Sequence, residues 1–312
     1  MFFDPEAGEV VLTPEAAGAG YWVGAPSVLR DGEDVILTYR RRRPRGMASD
    51  RGWCNRIAVS HAGGPFEDVA EIAKEQLESA SVERSALVRD PSGHGWVWLV
   101  SYVDPADGRW RIDAFRAGTL AGLPRGQRTA VLTAESTGCE GVKDPVPVLA
   151  AGRLWLLVSW AEAAGASAKD MHGTNDAYNT GLVRCGTALV STRDLSTWEW
   201  HGSVLGLGVG WDSYQARLST VVPVGPGWMG LYDGSASVAE NYEERLGLAW
   251  ATDLTSWRSL TPDGPAVVSR GTTGSVRYGD ALPDAAGLWI YYECSRPDGA
   301  HDLRRILARW KP

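Results

Sequence analysis

Five stretches of this chain are written to one pattern. In chain order they are GAPSVLRDGEDVILTYR from Gly24, ERSALVRDPSGHGWVWLVSY from Glu83, KDPVPVLAAGRLWLLVSW from Lys143, QARLSTVVPVGPGWMGLYDG from Gln215 and RYGDALPDAAGLWIYYECSR from Arg277. Each has a short apolar run, a tight turn built on Gly or Asp, and a second apolar run rich in aromatics, which is the signature of a β-hairpin. The first four are followed by a third and a fourth strand: RIAVSHAGGPFEDV, RIDAFRAGTLAGL, CGTALVSTRDLSTWEW and LGLAWATDLTSWRSL. The pattern returns roughly every 60 to 70 residues, so the repeating unit is a four-stranded sheet that needs neighbours to bury its faces. Five such sheets use up the chain and predict an all-β fold, a five-bladed β-propeller forming a single domain over residues 1–312. The fifth unit is short, ending in LRRILARW, and GEVVLT at Gly8–Thr13 is expected to complete it and close the ring.

The same turn is written twice, as STRDLSTWEW from Ser191 and ATDLTSWRSL from Ala251. In each copy an Asp (Asp194, Asp253) can hold the turn through side-chain bonds to backbone N–H groups. A Trp four residues on (Trp198, Trp257) then folds back over its own sheet. These tryptophans are read as architecture rather than as sugar platforms. The 15 Trp and 37 Gly of the whole chain agree with strands and turns.

Charge excludes several partners. With 31 Lys and Arg against 38 Asp and Glu, the net charge is −7, which argues against nucleic acid or an anionic membrane as partner. The run Arg40–Arg45, RRRRPR, has no interleaved aromatics and does not reverse this; Arg40, at the end of a strand, is expected to point inward. No apolar run reaches membrane-spanning length and MFFDPEAGEVV lacks a secretory apolar region, so the expected location is cytoplasmic. Cys54, Cys139, Cys185 and Cys294 form no CxxC pair, so buried free thiols are expected, with no metal and no cofactor.

Strands in a blade alternate direction, so the long loops after each second strand share a face with the starts of the first strands. Long polar loops on one face of a scaffold build binding sites. The first-strand starts there read Gly24, Ala25 and Pro26; Glu83, Arg84 and Ser85; Lys143 and Asp144; Gln215, Ala216 and Arg217; Arg277, Tyr278 and Asp280. Charge at such positions is costly unless it is paired or meets a ligand. Trp22 and Trp53 are the expected platforms on this face, and Asp212 and Tyr214 stand just ahead of the fourth unit. The longest loop, Ala161 to Arg184, carries His172 beside Glu162, Asp170, Asn175, Asp176 and Tyr178, and reads either as a lid that completes the site on closure or as a solvated polar loop.

The hairpin grammar, the Asp-Leu-x-x-Trp turns and KDPVPVLAAGRLWLLVSW resemble the β-propeller glycosidases, family 43 and the mannoside phosphorylases of family 130. The resemblance covers almost the whole chain and implies a glycoside or oligosaccharide substrate, cleaved with two carboxylates and inversion. Asp144 matches the Asp-Pro that in family 43 tunes the general acid, and Lys143-Asp144 is similar to the Lys-Asp pair of family 130. Ala25-Pro26 stands where family 43 has its general base, Gln215-Ala216-Arg217 where it has its general acid, and Glu83-Arg84-Ser85-Ala86 where family 130 has Glu-Asp-Pro-Arg. The catalytic candidates are therefore Asp144, Glu83 and Asp280. Substrate contacts are expected from Arg84, Lys143, Tyr214, Gln215, Arg217, Arg277, Tyr278, Trp22, Trp53, Arg40, His172 and Asp212. Four cations, Arg84, Lys143, Arg217 and Arg277, point to an anionic group on the substrate. Phosphorolysis, with the cations holding phosphate, and a noncatalytic or repurposed sugar-binding propeller are the alternatives.

Overall fold

A computed structural model describes residues 2–91, 93 and 95–309. Ser92 and His94 of the second hairpin turn and Trp310 of LRRILARW lie outside the described residues. An N-terminal strand, β1 (Glu9–Leu12), precedes a first antiparallel set: β2 (Trp22–Asp31), β3 (Asp34–Arg43), β4 (Arg51–Ser60) and β5 (Phe66–Ala73). The second set is β6 (Val82–Arg89), β7 (Trp96–Val103), β8 (Trp110–Ala117) and β9 (Gln127–Leu132). The third is β10 (Gly141–Ala150), β11 (Arg153–Ala161), β12 (Cys185–Thr192) and β13 (Glu199–Leu205). The fourth is β14 (Gln215–Val224), β15 (Gly227–Ser235), β16 (Arg245–Ala251) and the two-residue β17 (Arg258–Ser259). The last is β18 (Val276–Asp284), β19 (Gly287–Ser295) and β20 (His301–Arg309). Its fourth member is β1, which pairs antiparallel with β20 and sets Glu9 opposite Arg305.

The first strands contact one another in a cycle: β2 with β6, β6 with β10, β10 with β14, β14 with β18, and β18 with β2. Because each set packs both faces against neighbours, inner strands such as WVWLVSYV in β7 are buried along their whole length. The core is correspondingly divided into wedges. Ile57 and Ile36 meet Val100 and Trp98 between the first and second sets, and Leu99 and Ile112 meet Leu156 and Ala188 between the second and third. Leu157 and Leu189 meet Leu218 and Ala249, Leu231 and Leu246 meet Val276 and Ile290, and Tyr291 and Leu303 meet Leu37 and Ala58.

The twin turns are built as their sequence predicts. Asp194 Oδ1 accepts from the Ser196 and Thr197 N–H groups, and Asp253 Oδ1 accepts from Thr255 N–H. Trp257 is buried in the wedge between the third and fourth sets, and Trp198 packs on the one between the second and third. Of the long polar loops expected after each second strand, the first, RRRPRGMASDRGWCN from Arg41, is largely strand. β3 runs on to Arg43 and β4 begins at Arg51, so Trp53 is a strand residue rather than a loop one, with the Arg43 and Arg56 guanidiniums 4.4 and 5.7 Å from its ring.

Every first strand changes register near its start, between Gly24 and Ser27, Val82 and Ser85, Lys143 and Val146, Leu218 and Thr220, and Arg277 and Asp280. At three of these bulges a non-glycine residue is left-handed: Ala25 at φ 50°, Asp144 at 58° and Tyr278 at 52°. A bulge breaks the alternation of a strand and re-aims the side chain it carries. The register makes Glu83, Asp144 and Tyr278 equivalent.

Candidate active site

The bulges deliver charge to one place. Arg40 pairs with Glu83 on one side and lies 3.2 Å from Glu293 on the other. Glu293 Oε1 accepts from Arg277 at 2.7 Å, and Arg277 reaches Glu244 at 2.8 Å. Glu244 accepts from Arg217 at 2.7 Å; Arg217 also stands 3.5 Å from Asp233 and 3.6 Å from Asp144, which has Lys143 Nζ at 3.9 Å. All these side chains are buried. The result is a nearly closed ring of alternating charge. Tyr278 lies inside it: the guanidiniums of Arg40, Arg217 and Arg277 are 5.4, 5.4 and 5.2 Å from its ring, and its hydroxyl donates to Glu83 at 3.2 Å. Gly24 completes the packing, since a Cβ there would fall 2.2 Å from a Glu293 oxygen.

The carboxylate of Asp144 is left without hydrogen bonds. Both carboxylate oxygens of Asp144 are buried and neither meets a donor in hydrogen-bond geometry, although its backbone N–H donates to Ser101 Oγ at 2.9 Å. A buried carboxylate that is not hydrogen-bonded is expensive, so this group is set up for a partner.

The field of the ring splits the carboxyls. Burial alone would raise Glu293 and Glu244, but Arg277 leads the charges that hold Glu293 well below the usual range and Glu244 at about 2. Burial pushes Asp233 up to about 7, with Arg217 opposing and Glu244 adding. Burial also lowers His301, whose Nδ1 lies 2.7 Å from Glu293, and raises the phenol of Tyr278.

The segment between β11 and β12 lies over the ring. Tyr178 and Trp110 flank Lys143 Nζ, their rings 4.7 and 4.9 Å away. Asp176, buried, accepts from Trp110 Nε1 at 3.1 Å, Tyr242 Oη at 3.1 Å and Asn179 Nδ2 at 2.6 Å, and pairs with Arg51 at 3.4 Å. Burial would raise its carboxyl, and Lys143, Arg51, the Trp110 bond and Arg42 more than offset this. At the rim Trp22 stacks on His301 at 4.5 Å, and Arg42 is held between the rings of Trp22 and Tyr242 at 4.6 and 4.4 Å.

The ring thus gathers Glu83, Asp144, Lys143, Arg217, Arg277, Tyr278 and Arg40, with Trp22 beside it. Other candidates are elsewhere. Asp280 accepts from Val28 and Ala281 N–H groups, ion-pairs with Arg84 at 3.3 Å, and lines a cavity further along the axis with it. Asp212 accepts from Tyr232 Oη at 2.8 Å, and His172 Nε2 is 2.9 Å from Glu140. Tyr214 donates to the Tyr178 carbonyl at 2.8 Å and Gln215 to Asn241, both under the loop. The expected surplus of positive charge is also corrected: Asp280 stands beside Arg84 and Asp144 beside Lys143, while β15, β19 and the segment before β16 supply Asp233, Glu293 and Glu244 to Arg217 and Arg277.

None of those three acids is among the expected site residues, though a signal existed. Arg40, Ser159, Asp233 and Glu293 occupy one repeated position, each late in the second strand of its hairpin and directly after an apolar residue. Glu244 precedes β16 and has no such marker. Among the described residues no cluster of three or more His, Cys, Asp or Glu is placed to hold a metal ion. All four cysteines are buried and free.

No protein-family model and no curated protein matches this sequence. Solved structures do. A thermostable family-43 glycoside hydrolase matches with TM-score 0.65 and 12% identity over 97% of this chain and 96% of that one. The β-1,2-mannobiose phosphorylase from Listeria innocua, in complex with β-1,2-mannobiose, matches with TM-score 0.62 and 14% identity over 96% and 94%. A structure from family 130, concerning glycoside hydrolases that target β-1,2-mannosidic linkages in Candida mannan, matches with TM-score 0.61 and 14% identity over 99% and 95%. At such identities the common property is the fold, and this chain is an all-β protein built like the glycoside-active enzymes of families 43 and 130.

Proposed function

We propose that the chain is a single five-bladed β-propeller that hydrolyses a neutral glycoside at the charged ring. Five strand sets, the cycle of first-strand contacts and the five core wedges support the architecture. The observation that carries the function is Asp144, a buried carboxylate on a left-handed bulge with no hydrogen bond to either oxygen. A sugar hydroxyl or glycosidic oxygen is the kind of partner that would satisfy it. Glu83, at the equivalent bulge of the adjacent set, supplies the second carboxylate of an inverting acid–base pair.

The charge balance favours hydrolysis over phosphorolysis and a neutral over an anionic substrate. A phosphate or uronate would have to displace carboxylates from Arg217 and Arg277, which are already bonded at 2.7–2.8 Å. Entry requires the segment spanning residues 162–184 to lift, so this segment acts as a lid carrying Asp176 and Tyr178.

Product release from neutral and acidic glycosides, with and without phosphate, tests this on wild type and Asp144→Asn. Phosphate-independent turnover of a neutral glycoside, reduced about 100-fold or more by the substitution, is the expected result. Turnover that needs phosphate would overturn hydrolysis. Sugar binding by calorimetry without any turnover would make the protein a binding module.

A further inference from the structure

A second cavity lies on the same axis, toward the hairpin turns. It has a volume of about 450 Å³, within the range of small-molecule sites, and all five first strands contribute to it. Its walls are apolar, with Leu29, Val88, Val146 and Val221 among them, and Leu149 stands exposed at its rim.

Among the polar residues of this lining, Arg84 is the one with buried donors left unpartnered. Its side chain is buried, and Nη1 donates to the carbonyl of Ser219. Nη2 is 3.3 Å from Asp280, but neither Nη2 nor Nε makes a hydrogen bond within the protein. Those two nitrogens form one edge of the guanidinium, and their two parallel N–H bonds match the spacing of a carboxylate. Asp280 does not use that edge fully, because its oxygens accept from the Val28 and Ala281 N–H groups. Two further arginines, Arg30 and Arg89, line the opening, each with an acidic neighbour of its own, Asp284 and Asp31. Arg30 and Arg89 are thus each balanced by an acid, and the buried donors left over at this cavity are those of Arg84.

We propose that this cavity is a binding site, separate from the charged ring, for a small monocarboxylate with an apolar body. The carboxylate lies along the Nε–Nη2 edge of Arg84 and the apolar body lies between the valine and leucine walls. The site does not depend on the glycosidase reading.

Calorimetric titration of the intact protein with octanoate, 1-octanol and octylamine tests it. Octanoate is expected to bind at one site per chain, with 1-octanol at least about tenfold weaker and octylamine weaker still. Arg84→Lys keeps the charge but loses the two-pronged edge, and is expected to weaken octanoate about tenfold while 1-octanol changes little. Leu149→Asp, at an exposed rim position that leaves folding alone, is expected to weaken octanoate selectively. No octanoate binding by wild type, equal affinity for octanoate and 1-octanol, or unchanged octanoate affinity in Leu149→Asp would overturn the proposal.

Discussion

Arg217 stands 3.6 Å from Asp144 and bonds Glu244 at 2.7 Å, so one guanidinium serves the carboxylate without hydrogen bonds and a firmly held one. It also faces Asp233 at 3.5 Å. Replacing Arg217 by Met keeps most of the volume and leaves three buried carboxylates short of their shared cation. Removing one partner of a buried pair costs about 3–5 kcal/mol, and that loss is expected here in denaturant unfolding. A loss below about 1 kcal/mol would show that water or rearrangement replaces Arg217 readily.

Asp233 should make stability depend on pH in the opposite sense to its neighbours. Its carboxyl is raised from 3.8 to about 7, first by burial, so the folded state holds a proton that the unfolded chain releases. Its contribution is complete below pH 3.8 and is lost as pH rises through about 7. Glu244 and Glu293 are depressed; their contribution is present above the ordinary carboxylate range and lost only as pH falls through their lowered values. Asp233→Asn should therefore flatten the melting temperature between pH 4 and 7 and stabilise the protein at pH 8. Parallel wild-type and mutant curves would remove Asp233 as the titrating group.

The lid hypothesis concerns Asp176, which ties the segment to Trp110, Tyr242 and Arg51. Asp176→Ala should leave the strand sets folded while raising the population of the open segment. Limited trypsin cleavage at Lys169 and Arg184 should then quicken several-fold, because cleavage of a transiently open state follows its population. Unchanged cleavage would mean that the segment is a fixed cover.

Trp257 gives a test of architecture. It is buried between the third and fourth sets, and its Nε1 donates to the Leu254 carbonyl at 3.1 Å. Trp257→Ala should cost about 3–5 kcal/mol in unfolding free energy, as large-to-small core substitutions do. Sugar affinity per folded molecule should not change; a selective loss of sugar binding would restore this tryptophan as a platform.

The hairpin repeat was legible because turn chemistry and strand alternation are local. Ring membership was legible for residues at the bulges, Glu83, Asp144, Arg277 and Tyr278, where an interrupted strand turns its side chain toward the axis. Asp280 was misplaced because it follows the bulge, and each strand residue advances about 3.3 Å, enough to carry it into the next layer. Trp53 was misplaced because an arginine-rich stretch reads as loop, while β3 and β4 continue through it on stacked guanidiniums. Glu244 and Asp176 join the ring and its cover through loops, and no periodicity marks where a loop folds back.

The pairing of β1 with β20 has a consequence for how the chain assembles. Glu9 and Arg305, bonded at 2.9 Å, are 296 positions apart. During synthesis β1 is thus made long before its partner β20, and its backbone groups stay unpaired while the strand sets between them form. Contacts of such long separation are slow to make, and an unpaired strand can meanwhile join the edge of another molecule. The same hydrogen bonds that finish the last set act as a clasp, so slow release of Glu9–Leu12 would set the pace at which that set opens.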